Sequence, residues 1–386
     1  MENVRLGIIG MGNMGSTHAR KILGEQVTKV TLSAIADADP ERLKKFPEIP
    51  AFPTGEELIK SGKVDAVLIA TPHYDHTPLG IAALEAGLHV LVEKPISVHK
   101  ADCERLIQAY EKTSSPKPVF AAMFNQRTDP AYSKVRDLIN RGEIGGILRV
   151  NWIITDWFRT ESYYASGGWR ATWGGEGGGV LLNQCPHQLD LLQWLCGMPE
   201  EVTGFCAFGK YHEIEVEDDV TTFLRYPNGA TGVFVTSTGE APGTNRLEIT
   251  GDRGRIVVEE RKITFLRTTE PVREFSKSCP GGFTKPETWT IDIPVEGPGG
   301  QHVAIMQNFA DAILEGKDLI APAVEGIHSV ELANAILLSA FENRSISLPI
   351  SSEEYETVLK KKIEQSTFVK KAPTEPVEPT DFDKSF

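Results

Sequence analysis

Between residue 4 and about residue 120 the apolar positions fall in short β-branched runs separated by longer stretches of helical period. VRLGIIG, VTLSAIAD, VDAVLIAT, HVLVEKP and PVFAAMF predict strands, and their alternation with helices predicts a parallel sheet with crossover connections. Three of these runs are almost wholly apolar, the pattern of strands covered on both faces. Beyond residue 125 the pattern changes. LRVNWIITDW begins with two-residue alternation, TTFLRYPNGATGVFVTST is two strand-like runs around Asn228-Gly229, and NRLEITGDRGRIVVEE is another pair around Asp252, Arg253 and Gly254. Such hairpin signals predict a mostly antiparallel sheet, whose exposed face is a natural contact between copies of the chain. Residues 268–300, rich in Pro and Gly, predict long loops, and AIMQNFADAILEG and GIHSVELANAILLSAFENR predict amphipathic helices. The expected organisation is therefore α/β: an N-terminal Rossmann domain with a parallel sheet over 1–124, then a C-terminal α/β domain with a large, mostly antiparallel open sheet over 125–350. Residues 351–386 are expected to form a helix and an extended or disordered Pro-rich tail, KAPTEPVEPTDFDKSF, with an arm laid over a partner subunit as the alternative.

A chain of 386 residues exceeds what one hydrophobic core usually organises. The net charge of -13 and the lack of a basic stripe argue against a nucleic-acid partner and favour a small neutral ligand. Cys103, Cys185, Cys196, Cys206 and Cys279 are scattered, with no CxxC pair and no Cys/His ligand cluster, so they read as reduced thiols of a cytoplasmic protein without a metal site. MENVR passes directly into a strand, and no apolar run reaches transmembrane length. Secretion and membrane spanning are not expected.

Chemistry enters with VRLGIIGMGNMGSTHARKIL, which sets Gly10, Gly12 and Gly15 in GxGxxG spacing between a strand and a helix. Gly10 permits a tight turn, Gly12 lets the backbone of Met11, Asn13 and Met14 approach a pyrophosphate, and Gly15 allows close helix packing; the helix N terminus supplies N–H groups to the anion. Asp37 ends the second strand about twenty residues on, where an acid holds the adenosine ribose hydroxyls. The residues beside it, Ala38 and Asp39, offer no welcome to a 2'-phosphate, so NAD is preferred to NADP, although Arg42 lies near in sequence. Two further strand ends, ATPHYDH with Thr71, Pro72, His73 and His76, and EKP with Glu93, Lys94 and Pro95, add polar groups where α/β sheets bind ligands.

A second concentration of polar groups lies in GGEGGGVLLNQCPHQLDLLQWLCG, where Asn183, His187 and Asp190 recur at helical spacing. Pro186 is tolerable in a first helical turn, and Gly177, Gly178 and Gly179 are expected to let the backbone pass close to a ligand. With these residues in view, the chain resembles the glucose-fructose oxidoreductase, inositol dehydrogenase and rhizopine catabolism (Gfo/Idh/MocA) family to about residue 345. The resemblance is carried by GIIGMGNMGSTHA, ADADPER, ATPHYDH, AGLHVLVEKPIS and GGGVLLNQCPHQLDLLQWL. It implies dimers or tetramers built through the second sheet, and pyridine-nucleotide-dependent redox chemistry at a carbinol of a sugar, cyclitol or related molecule. By motif match it makes Lys94 the lysine beside the reacting hydroxyl and His187 the acid/base histidine. Where the family pattern is often Asp-x-x-x-His, this chain has Asn183.

Loss of hydride from a carbinol carbon requires its hydroxyl to lose a proton, which a positioned base and a nearby positive charge assist. His187 and Lys94 fill those roles, and Asp190 is expected to orient the His187 ring in place of the missing carboxylate, with Asn183 bonding substrate oxygens. For the substrate, Asn125 and Arg127 in NQRTDP are candidates, and Tyr164, Trp169 and Arg170 lie just before the glycine run, with His302 reaching in from a loop. The leading expectation is an NAD-dependent dehydrogenase acting on a ring hydroxyl of a sugar, glycoside or inositol. The alternatives are a redox-neutral NAD-dependent glycosidase that oxidises a ring carbon transiently, and a catalytically silent NAD and sugar sensor.

Overall fold

The computed structural model describes residues 2–370; the Pro-rich tail therefore lies outside the described residues. The first sheet contains β1 (Val4–Ile9), β2 (Val30–Ala36), β3 (Ala51–Phe52), β4 (Ala66–Ile69), β5 (His89–Val92) and β6 (Phe120–Ala122). Its order is β3-β2-β1-β4-β5-β6, and every pairing is parallel. All four residues of β4 are buried, as its unbroken apolar run requires of a strand covered by helices on both sides. The order reverses between β1 and β4, which opens a crevice beyond the carboxyl ends of those strands.

The second sheet contains β7 (Ile147–Ile154), β8 (Glu201–Phe208), β9 (Glu217–Arg225), β10 (Thr231–Ser237), β11 (Asn245–Gly251), β12 (Gly254–Glu259), β13 (Lys262–Thr268), β14 (Thr288–Ile293) and β15 (Ile346–Ser347). They lie in the order β14-β13-β12-β11-β7-β10-β9-β8-β15. Every pair is antiparallel except β7 with β10. The two turns marked by Asn228-Gly229 and Asp252-Arg253 join β9 to β10 and β11 to β12 as expected. One face of this sheet packs against the helices Pro186–Cys196 and Gly326–Glu342. The other leaves Ile153, Phe205 and Phe223 exposed, with Phe223 opposite Val233 and Ile153 opposite Val235.

The expectation of long loops over 268–300 needs correction. That segment holds a short helix, Val272–Ser278, and the edge strand β14. The strand is TWTIDI, and its mostly exposed side chains give no apolar run to betray it; β13 supplies its hydrogen bonds along one edge.

The strands of the two sheets occupy separate stretches, but the core of the first sheet is completed from the later part of the chain. The helix Gln301–Glu315 and the segment following it pack Ile305, Met306, Phe309, Ala321, Ala323 and Val330 into the core of the first sheet. Ala122 N–H donates to the Ala321 carbonyl at 3.0 Å, so β6 is met on its free edge by the returning chain. Between the two units, the Lys100 ammonium donates to Glu331 at 2.7 Å and to the Ile350 carbonyl at 2.8 Å, all three buried.

Candidate active site

Helix Asn13–Leu23 begins directly after β1, with Gly12 as its N-cap and no side chain closing that end. Gly10 has φ +91°, and a Cβ there would lie 2.7 Å from the Ala70 backbone; a Cβ on Gly15 would lie 1.9 Å from the Gly10 carbonyl oxygen. A Cβ on Gly12 would meet nothing nearer than Arg42 Nη1 at 3.9 Å, so the space over this turn is open for a diphosphate. Met11 N–H donates to Asp37 Oδ2 at 2.6 Å, and Asp39 N–H to Asp37 Oδ1 at 2.8 Å. These bonds fix the Asp37 carboxylate beside the glycine turn. Arg42 lies 3.3 Å from Asp37 Oδ2 and 3.4 Å from Asp39 Oδ2, held between two acids. The residues at the switch point therefore fit a dinucleotide: an uncapped helix end for its pyrophosphate and a fixed acid for its ribose.

Thr71 and Pro72 follow β4, and Glu93 and Lys94 follow β5, around the same crevice. Glu93 is buried, accepting from His18 Nε2 at 2.7 Å and from the Lys94 N–H at 3.2 Å. Burial alone would raise its carboxyl, but the His18 hydrogen bond and the charges of His18, His302 and Lys94 hold it down at about 2. His302 sits in the first turn of its helix rather than in a loop, its ring 5.4 Å from that of His18. His76 instead lies between the carbonyls of Pro95, at 2.8 Å, and Thr71, at 2.9 Å. It joins the ends of β4 and β5, with both ring nitrogens on backbone carbonyls.

Lys94 donates to the backbone carbonyl of Asn183 at 2.9 Å. With the His73 ring, whose Nδ1 lies 3.2 Å from the Glu176 carbonyl, this bond joins the cofactor half to the glycine-rich segment. Burial lowers the Lys94 ammonium, opposed by Glu93 and Glu176 and assisted by Arg170 and Arg159. His187 follows in the first turn of Pro186–Cys196, 2 % exposed and edge-on to Phe124. Burial, then the charges of Lys94 and His302, push its pKa well below the ordinary imidazole value, so the ring is neutral and able to accept a proton.

Three expectations need correction here. Asp190 does not orient His187: its two oxygens take Arg127 Nε at 2.7 Å and Arg127 Nη2 at 2.6 Å, with Gln193 Nε2 at 3.1 Å. Arg127, expected at the substrate, is thereby a buried clamp that also holds Glu325 at 2.6 Å. The spacing does place His187 and Asp190 one turn apart in the same helix, but Arg127 takes both Asp190 oxygens, while Asn183 lies in a turn before the helix begins. The glycines, finally, serve packing of protein on protein. A Cβ on Gly177 would lie 2.1 Å from Val98 Cγ1, and one on Gly179 2.0 Å from the Glu217 carbonyl oxygen.

Of the remaining substrate candidates, Asn125 is buried and donates to Gln301 at 2.7 Å, and Tyr164 is buried with its hydroxyl on Thr238 at 2.8 Å. Trp169 and Arg170 are partly exposed, with the guanidinium 4.7 Å from the ring centroids of both Trp169 and Tyr163. Trp169 also meets His73 edge-on at 5.2 Å. Two residues at the centre of these contacts were not singled out in the sequence, His18 and Glu176. A charged residue inside a run of five glycines was a visible signal for Glu176; His18 carried none. Among the described residues no cluster of His, Cys, Asp or Glu could hold a metal ion, and no helix is long and apolar enough to cross a membrane.

A Rossmann crevice, an ammonium at the end of β5 and a buried neutral imidazole within reach of its charge define a nicotinamide-dependent oxidoreductase. The family model for oxidoreductases with an NAD-binding Rossmann fold matches residues 4–119, and that for the GFO/IDH/MocA C-terminal domain matches residues 132–257. The chain belongs to the Gfo/Idh/MocA family of NAD-binding oxidoreductases. It is 30 % identical over 286 residues to a myo-inositol 2-dehydrogenase of Thermotoga maritima, covering 69 % of this chain and 79 % of that one. It is 26 % identical over 392 residues to a levoglucosan dehydrogenase of Pseudarthrobacter phenanthrenivorans, covering 90 % and 99 %. Among solved structures it is similar to the WlbA dehydrogenase from Bordetella pertussis in complex with NADH and UDP-GlcNAcA, with TM-score 0.76 and 25 % identity, covering 90 % of this chain and 100 % of that one.

Proposed function

We propose that the protein oxidises a ring carbinol of a sugar, glycoside or inositol, passing the hydride to NAD. The observation that carries this reading is the bond from Lys94 to the backbone of Asn183, because it draws together the dinucleotide crevice and the segment bearing His187. The relatives, inositol and levoglucosan dehydrogenases, point to the same substrate class.

In this reading a nicotinamide dinucleotide, held by the Gly10–Gly15 turn and Asp37, would supply the hydride acceptor for the carbinol carbon. His187, neutral because it is buried, accepts the hydroxyl proton as the carbonyl forms. The Lys94 ammonium stabilises the developing alkoxide, and Glu93 behind it keeps that ammonium charged against the cost of burial. Asp37 takes the adenosine ribose, which favours NAD; Arg42 is already held by Asp37 and Asp39. Trp169 and Arg170 at the rim offer an aromatic face and a donor fork to a sugar ring.

Five free cysteines support a cytoplasmic location. The apolar stripe of Phe205, Phe223, Val233, Val235 and Ile153 on the open sheet supports a homo-oligomer built through that face. The deciding experiment is NADH absorbance after mixing enzyme and NAD with a panel of inositols, aldoses and glycosides, with Lys94→Ala alongside. Growth of signal with one polyol, lost in the variant, is expected. Release of aglycone without NADH would replace this reading by a redox-neutral glycosidase.

A further inference from the structure

Glu176 is 1 % exposed, yet its carboxylate lies inside the site rather than beneath it. One oxygen accepts from the Ala171 N–H at 2.7 Å, which closes the loop over the glycine run. The other accepts from the side-chain amide of Asn183, the residue whose backbone holds Lys94. Hydrogen-bond direction then passes along a chain. Arg170 Nη1 at 2.9 Å and Gln184 Nε2 at 3.1 Å both donate to the Tyr163 oxygen. The phenolic hydrogen is left for Asn183 Oδ1, 3.5 Å away. A carboxylate can only accept, so the Asn183 amide must turn its NH2 to Glu176 and its oxygen to Tyr163 and the pocket.

We propose that Glu176 is a positioning residue of the dehydrogenation: it fixes the Asn183 amide with its oxygen toward substrate, and supplies beside Lys94 the negative charge that position 183 itself lacks. This rests on the dehydrogenase reading given above. The ionisable groups facing Glu176 are Arg170, Lys370 and Lys94 on its cationic side and Tyr164 and Glu217 on the other, with His73 Nδ1 3.2 Å from the Glu176 carbonyl. Burial raises the Glu176 carboxyl, while Arg170, the Ala171 N–H and the Asn183 amide work against that rise. The consequence for recognition is specific. Asn183 presents an acceptor, so it selects a substrate hydroxyl over an ether oxygen at that point of the ring.

Two readouts separate this role from loop closure alone. The first needs no substrate: the pH dependence of Lys94 acylation, followed by peptide mass spectrometry, in the wild type, in Glu176→Gln and in Glu176→Gln/Asn183→Asp. Loss of the carboxylate is expected to move the Lys94 midpoint down, and the double variant, which returns a charge one hydrogen bond away, to move it back. The second is kcat/KM against pH with whichever polyol is turned over. Glu176→Gln is expected to fall about tenfold, with the double variant recovering most of it. A Glu176→Gln protein that loses only thermal stability, with an unmoved Lys94 midpoint, overturns the proposal. If instead no polyol is oxidised, the labelling still decides the part about Lys94, and the dehydrogenase reading alone fails. Should circular dichroism show Glu176→Gln unfolded, Asn183→Ala keeps the Ala171 bond and cuts the same link. Its expected result is a rise in KM and a fall in kcat, and wild-type kinetics would overturn the proposal.

Discussion

Replacing Arg127 by Met removes the guanidinium hydrogen-bonded to both oxygens of Asp190. Both side chains of that pair are 1 % exposed, whereas Glu325, the third partner, is 41 % exposed. The loss at Glu325 is that of a half-exposed ion pair and costs at most about 1 kcal/mol. Asp190 decides the outcome. It is left buried with Gln193 as its remaining side-chain donor, and burial already pushes its carboxyl up. Breaking a buried pair from one side costs about 3–5 kcal/mol, so Arg127→Met should lose that much in urea unfolding followed by tryptophan fluorescence. Arg127→Met/Asp190→Leu, which removes both charges, should recover most of the loss. Asp190→Asn should destabilise while leaving the pH-rate profile unmoved, because Asp190 faces Arg127 and not His187. A loss below about 1 kcal/mol in Arg127→Met, or a double variant no more stable than the single, would refute the clamp. A shifted pH-rate profile in Asp190→Asn would restore Asp190 to the acid/base machinery.

Other outcomes follow from the same geometry. Lys94→Met should abolish turnover and leave NADH binding by fluorescence within about threefold of wild type, since Lys94 acts on the hydroxyl rather than the diphosphate. Glu93 is depressed from 4.5 to about 2, so its stabilising contribution is complete above the unfolded value and is lost as pH falls toward 2. About 3 kcal/mol is at stake, and Glu93→Gln should flatten the acid limb of a stability-versus-pH curve. Gly15→Ala should weaken NADH binding roughly five- to 150-fold, the equivalent of about 1–3 kcal/mol of overpacking, as titration calorimetry would read. Phe223→Lys should shift sedimentation velocity toward the monomer if the open sheet face is the contact between copies.

The cofactor half was legible because its chemistry is local: a glycine turn, a strand end and a cap are read within a few residues of one another. VRLGIIGMGNMG reports its own backbone needs, and the observed φ of Gly10 answers them. The second half was legible as strands and hairpins but not as a site. Asn183, His187 and Asp190 share a helical period in the sequence, yet the helix starts at Pro186, so periodicity wrongly extended the helix to Asn183 and could not show that Asp190 is turned to another partner. Asp190 found a cation 63 residues away, and no short-range pattern announces such a partner. Glu176 did carry a signal, a charge inside the glycine run, but the glycines around it drew attention to the backbone and not to that side chain. The edge strand β14 was hidden because an exposed strand needs no apolar alternation; the free edge of β13 specifies it.

The return of residues 301–330 to the first sheet bears on how the chain is made. Strands β1 to β6 are all synthesised by residue 122, but Ile305, Met306, Phe309 and Val330, which complete their core, emerge much later. At ordinary translation rates the interval is roughly 10–40 s. Throughout that time the nascent Rossmann sheet carries uncovered apolar surface and the unpaired edge of β6, so the ribosome-bound intermediate is a natural client for a chaperone. A stop before residue 301 would release a cofactor domain that has its glycine turn but not its full core.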